Sequence, residues 1–188
     1  MMKLKDILLE VEADQKIDAV VDDLKDDFAS ALNGIEDALE DAEDQQKEGV
    51  LTTASLLLAL PAVLGIIARL GKAATSAFQK IAGKKPDDQS GTEKYFQQLG
   101  RVADELHHLY MKPLELLTRK FIKDPVKAKK VANAIFHIIV ATMMVASGVT
   151  AAKALQAKEI SLASLESALT AVKGGEIKNY LTNLYNAI

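Results

Sequence analysis

VANAIFHIIVATMMVASGVTAA, Val131 to Ala152, is twenty-two residues long and has one ionisable side chain, His137. As a helix it would extend about 33 Å at 1.5 Å per residue, close to the ~30 Å thickness of a bilayer hydrocarbon core. The same length and composition suit the dry centre of a helical bundle. A second run, VLTTASLLLALPAVLGIIA from Val50 to Ala68, has no charge in nineteen residues. How these two stretches are enclosed decides the fold and points to the function.

The rest of the composition narrows the fold class. In 188 residues hydrophobic side chains reach 49%, yet aromatics are 5% and Trp is absent. A core of Leu, Ile, Val and Ala favours helix-on-helix packing. Apolar positions recur at steps of three and four: Ile17, Val20, Val21, Leu24, Phe28, Ala31, Leu32, Ile35 and Leu39 form one such stripe, and the step is helical. The predicted class is all-α: a helical bundle whose two long apolar helices form a central hairpin flanked by amphipathic helices. Residues 1–48 form an acidic amphipathic arm and residues 49–188 a helical domain. Within that domain the apolar helices cover 50–70 and 125–157, a linker covers 84–91, and C-terminal helices lie in 161–188.

Local signals set the expected boundaries. Pro61 interrupts the first apolar run, and proline in a helix interior costs about 3 kcal/mol. Ser90-x-x-Glu93 has capping-box spacing and predicts a helix through about Tyr110. Pro113 is expected to open a separate short helix, 114–122. Asp124-Pro125 predicts a strong start, with Asp as cap and Pro at the first position, where its missing amide is harmless. Ser161 should cap a helix ending near Lys173, with Gly174-Gly175 as its stop. The last helix places Ile177, Leu181, Leu184 and Ile188 on one side.

Charge is strongly polarised. Residues 1–48 hold five Lys and sixteen acids, whereas residues 69–130 hold fourteen Lys or Arg and seven acids. Twelve bases flank the apolar runs on the inner side, from Arg69 to Lys130, against Lys47, Lys153 and Lys158 outside. Under the positive-inside rule a spanning hairpin would keep the connection cytoplasmic. Thr142, Ala146 and Thr150, four apart, are small enough for close helix pairing in lipid. Neither run carries an aromatic belt, and His137 would be awkward in hydrocarbon.

The side chains expected to face lipid are Leu56, Leu57, Leu60, Val63, Leu64, Ile67, Ile135, Ile138, Ile139 and Met143. Lys123, Lys127, Lys129 and Lys130 would contact phosphates, and their position beside the second run suits lipid headgroups better than nucleic acid.

Catalytic signatures are lacking. Without Cys there is no thiol nucleophile or thiolate metal site. Glu105 and His108 have the Glu-x-x-His spacing of di-iron bundles, as Asp104 and His107 share a helix face, but such sites need the motif twice plus further carboxylates. No catalytic residue, metal site or cofactor is expected, and the protein is not expected to be an enzyme.

The amino terminus, MMKLKDILLEVE, resembles the short targeting peptides of internal head proteins in T-even-like tailed phages, which end at an apolar residue, any residue, then Glu. Leu8-Leu9-Glu10 has that form; Val11 follows, where the family has Ala or Gly. The resemblance covers about twelve residues. It implies a virion protein, located in the particle or at the host cell membrane. The expected function is then that of a non-enzymatic, membrane-inserting or membrane-associated helical protein acting at the host envelope. Its expected partners are a lipid bilayer and other virion subunits or further copies of itself. The alternative is a soluble assembly protein with both apolar helices enclosed.

Overall fold

In the computed structural model, residues 53–83 and 89–187 are described, with Ala19, Asp26, Ala29, Ser30, Asn33, Gly34 and Asp37 as separate helical positions. Among the described residues five continuous helices follow in order: α1 (Thr53–Ala82), α2 (Gln89–Phe121), α3 (Pro125–Ala146), α4 (Leu162–Gly174) and α5 (Ile177–Asn186), with a 3-10 turn at Ala152–Ala154. Among the described residues there is no strand, so the fold is an all-α bundle.

Helix α3 is its axis. It packs against α1, α2, α4 and α5, and Phe136, Ile138, Ile139, Val140, Ala141, Met143 and Met144 are fully enclosed. Burying each of the larger aliphatic side chains is worth roughly 1.5–3 kcal/mol, so this stretch is the main apolar contributor to the bundle. The neighbouring helices each turn one stripe inward. α1 contributes Ile67, Leu70, Ala74 and Phe78, α2 contributes Leu99, Leu106, Tyr110 and Leu114, and α4 contributes Leu165 and Leu169. From α5, Leu181 is buried while Ile177, Tyr180 and Leu184 pack at the edge.

Several boundaries match their local signals. Asp124 caps α3, its carboxylate accepting from the Val126 and Lys127 amides at 2.8 and 3.2 Å. Ser161 caps α4, and Gly175 ends it in the left-handed conformation.

Others differ from expectation. α2 runs unbroken from Gln89 to Phe121 with Pro113 inside. Ser90 therefore lies in its first turn instead of ahead of it, and no separate helix begins at 114. Proline removes one ladder hydrogen bond, but the buried row Leu106, Tyr110, Leu114, Leu117 continues across it. Continuous burial on both sides holds the helix together. Pro61 likewise lies inside α1.

α3 stops at Ala146, well short of 157. Ser147 donates its amide back to the Met143 and Met144 carbonyls, and Gly148 turns the chain at φ 76°. The segment 147–152 is a turn that alternates between core and surface: Ser147, Val149 and Ala152 are buried, while Gly148, Thr150 and Ala151 are exposed. Composition alone does not distinguish a buried turn from a buried helix.

The α1–α3 contact is unusually close. A Cβ on Gly71 would lie 2.8 Å from Thr142 Cγ2 and 2.9 Å from Thr142 Cβ. The hydroxyls nearby are occupied within their own helices, Thr142 donating to the Ile138 carbonyl at 2.8 Å and Thr75 to the Gly71 carbonyl at 2.7 Å. Gly71→Ala should therefore destabilise the bundle by about 1–3 kcal/mol through overpacking. At Gly65 a methyl group would meet nothing within 4 Å, and Gly65→Ala should stabilise by up to ~1 kcal/mol. Urea titrations of both variants check this. Coupling between Gly71→Ala and Thr142→Ala in a double-mutant cycle locates the strain at this contact, and strict additivity would show that it lies elsewhere.

Candidate lipid-facing corner

The turn between α2 and α3 builds the feature of greatest functional interest. Thr118, near the end of α2, is buried and donates its hydroxyl to the Ala128 carbonyl at 3.0 Å, tying the last turn of α2 to the first turns of α3. Ile122 is buried beneath the turn. Asp124 is committed to the amides of α3, and Glu115 pairs with Arg119 at 2.7 Å. Both acids of the segment 112–130 are thereby engaged, while the segment carries seven Lys or Arg.

Lys123, Lys129 and Lys130 are exposed and Lys127 is half-buried. Among the described residues none of these four lies in an ion pair. Val126, between these lysines in sequence, is 63% exposed, and Leu116, on the last turns of α2, is 57% exposed. Among the described residues one other large hydrophobic, Leu162, is exposed, at 46%. On α3, Val126 shares an exposed helix face with Lys129 and Lys130, three and four residues on, an amphipathic surface suited to a phase that is anionic outside and oily within.

Only the charges of this corner are legible in the sequence. The exposure of Leu116 and Val126 is not, although a signal exists for Leu116: it falls beside the three-and-four stripe of Leu106, Tyr110, Leu114 and Leu117.

The side chains expected to face lipid lie elsewhere. Ile67, Ile135, Ile138, Ile139 and Met143 are buried against the chain's own helices, and Leu60, Val63 and Leu64 are partly buried against the same core. The side chains of Leu56 and Leu57 lie outside the described residues. The physical reason is the position of α3: α1, α2, α4 and α5 pack against it, and every side chain from Ala134 to Ala141 is buried. Among the described residues α3 is the one helix long and apolar enough to cross a membrane, and two thirds of that stretch (67%) is buried inside the bundle. Of the expected pairing set, Thr142 does meet α1 at Gly71. Ala146 is exposed at the helix end and Thr150 is exposed beyond it, because α3 stops before a four-residue row can form.

The acid–histidine cluster on α2 is divided by its surroundings. Asp104 accepts from the Lys158 and Glu159 amides at 3.0 and 3.2 Å, anchoring the segment that returns from α3 to α4. His107 packs edge-on against Phe136 at 5.2 Å. Burial lowers its pKa, opposed by nearby Glu159 and Asp104 and reinforced by His108 and Lys129. Glu105 and His108 point to the exposed side. Among the described residues no three His, Asp or Glu converge as a metal would require. His137 is buried on α3, where desolvation lowers its pKa to about 4 despite a hydrogen bond with the Asn133 backbone.

The amino-terminal segment resembling phage head proteins, with Glu10, lies outside the described residues. No known protein family, curated protein or solved structure matches this chain.

Proposed function

We propose that this is a non-enzymatic helical protein that associates with anionic lipid surfaces as a folded bundle, through the α2–α3 corner. The observation that carries the reading is the run Lys123, Lys127, Lys129 and Lys130, which forms no ion pair among the described residues, with the exposed side chain of Val126 in its midst. Bases alone would suit any polyphosphate. The exposed Val126 among them favours lipid, since a nucleic acid backbone offers nothing oily to receive it. Association at the surface also leaves α3 inside its bundle, where its apolar side chains are already satisfied. The further placement of the protein as a virion component acting at the host envelope rests on the amino-terminal resemblance.

The test is flotation with phosphatidylglycerol vesicles against phosphatidylcholine vesicles at physiological salt. Each juxtamembrane base is worth about 1 kcal/mol near an anionic surface. Lys127→Glu, Lys129→Glu and Lys130→Glu together should therefore weaken binding to the anionic vesicles about 100-fold or more. Equal binding to both vesicle types, or an unchanged affinity in the triple variant, refutes the reading. Tighter binding to duplex DNA than to vesicles would reassign the corner to nucleic acid.

A further inference from the structure

The three histidines of the chain gather midway along the seam between α2 and α3, around Phe136. His107 meets the Phe136 ring edge-on at 5.2 Å, the His108 ring lies 6.1 Å from that of His107, and His137 is the next residue along α3. Their surroundings differ. His108 is exposed. His107 is half-buried, with Glu159 and Asp104 near enough to offset a positive charge, against His108 and Lys129. His137 is 6% exposed, and the titratable group that acts on it is His107, itself a cation when protonated. On the other helices packed against α3 the charged side chains are Arg69, Lys72 and Lys80 of α1, Glu166 and Lys173 of α4 and Lys178 of α5, all exposed, with Tyr180 of α5 partly buried. A proton on His137 is therefore a buried charge without a carboxylate partner, a state that a helix interface relieves by opening to water.

We propose that the His107–His137 contact is an acid-operated latch: protonation of His137 parts α2 from α3 at this level, and the parted form holds an anionic lipid surface more tightly than the closed bundle does. The proposal rests on the lipid reading of the α2–α3 corner and supplies its regulation. Burial sets the sign. In the closed form the His137 pKa is lowered to about 4, whereas a hydrated imidazole returns to about 6.5. Each pH unit between these values shifts the balance up to about tenfold toward the open form. The membrane itself supplies acid, since a surface potential of about −30 to −50 mV concentrates protons roughly three- to sevenfold. Parting also uncovers apolar surface beside the docking site. Lys129 lies two turns before Phe136 on the same side of α3, so what opens at Phe136 adjoins the lysines that meet the headgroups. The opening is local, because the seam is tied on both sides of the latch. Thr118 donates to the Ala128 carbonyl at one end, and Tyr95 donates to the Ser147 carbonyl at 3.2 Å at the other.

Flotation of the full-length chain with phosphatidylglycerol vesicles at pH 7.5, 6 and 5 tests the coupling. The affinity of the unaltered protein should rise at least about tenfold from pH 7.5 to 5. His137→Met should lose most of that rise, while His108→Gln, which deletes an exposed imidazole able to take up the same charge, should keep it. Amide hydrogen exchange of the unaltered protein is the second measurement and needs no variant. At pH 5 protection should fall in residues 104–111 of α2 and 133–140 of α3 ahead of residues 162–172 of α4. The proposal is overturned by an affinity that does not rise in acid, or by protection that falls in all helices together, which is global unfolding. Equal losses in the His108→Gln and His137→Met proteins would reduce the effect to surface charge and sink it as well. Selective loss of protection in a protein that floats with vesicles at no pH would keep the latch and remove the lipid reading, so the two failures are distinguishable.

Discussion

Phe136→Ala should lower the unfolding free energy by about 3–5 kcal/mol, the usual cost of removing a buried aromatic side chain and leaving a cavity. Phe136 is fully buried on the axial helix and meets the His107 ring edge-on at 5.2 Å. Small domains are stable by only about 5–15 kcal/mol, so one substitution should remove a large share of the total. Val126→Ala on the same helix is the internal contrast: its side chain is exposed, and a change within ~0.5 kcal/mol is expected. Urea denaturation followed by circular dichroism measures both. A loss below ~1 kcal/mol for Phe136→Ala would mean that α3 is not enclosed by its neighbours, and the surface reading of its amino-terminal end would lose its premise.

Acid should weaken the bundle through His137. The imidazole is buried and neutral, with a pKa lowered from 6.5 to about 4 by desolvation and by His107 across the α2–α3 contact, against a backbone hydrogen bond with Asn133 that favours the charged form. Between those two values the unfolded chain binds a proton that the folded chain excludes. Stability is therefore fully present above about pH 6.5 and is lost as pH falls toward 4, with the slope approaching 1.4 kcal/mol per pH unit. The integrated loss is about 3 kcal/mol. His107, lowered by its own burial, acts in the same direction. Replacing His137 by Met, similar in reach and unable to titrate, should flatten most of this dependence. Urea midpoints at pH 7.5, 6 and 4.5 make the comparison, and parallel pH profiles for the two proteins would rule His137 out as the source.

The same residue shows why the stretch from Val131 to Ala152 is hard to place from sequence. A single imidazole in twenty-two otherwise non-ionisable residues is a burden in either lipid or a protein core, so it does not discriminate between them. Length does not discriminate either: α3 has 22 residues, about 33 Å, and both a bundle of several helices and a bilayer core of ~30 Å enclose that length. In the bundle, Ile138, Ile139 and Met143 are buried on a helix that packs against α1, α2 and α4, segments that distant parts of the chain supply. Periodicity reports which face of a helix is apolar and is silent on what meets that face.

For the corner the division runs the other way. Lys123, Lys127, Lys129 and Lys130 are visible as a charge run, and Asp124-Pro125 marks the helix start that presents them. Leu116 and Val126 look, in sequence, like every other aliphatic side chain in an apolar-rich protein. Their exposure depends on how α2 and α3 are set against each other, for example where Thr118 donates to the Ala128 carbonyl at 3.0 Å, a contact between helices that no local pattern encodes.

The sequence alone determined what depends on neighbours within a few positions: helical periodicity, the Asp124 and Ser161 caps, the stop at Gly174-Gly175, and the segregation of acids from bases. Tertiary structure decided the rest. It carried α2 through Pro113, ended α3 at Ser147-Gly148, brought Gly71 against Thr142, and turned the expected lipid-facing side chains inward. Caps and charges act over one turn of helix, whereas burial depends on distant segments that must first be brought together.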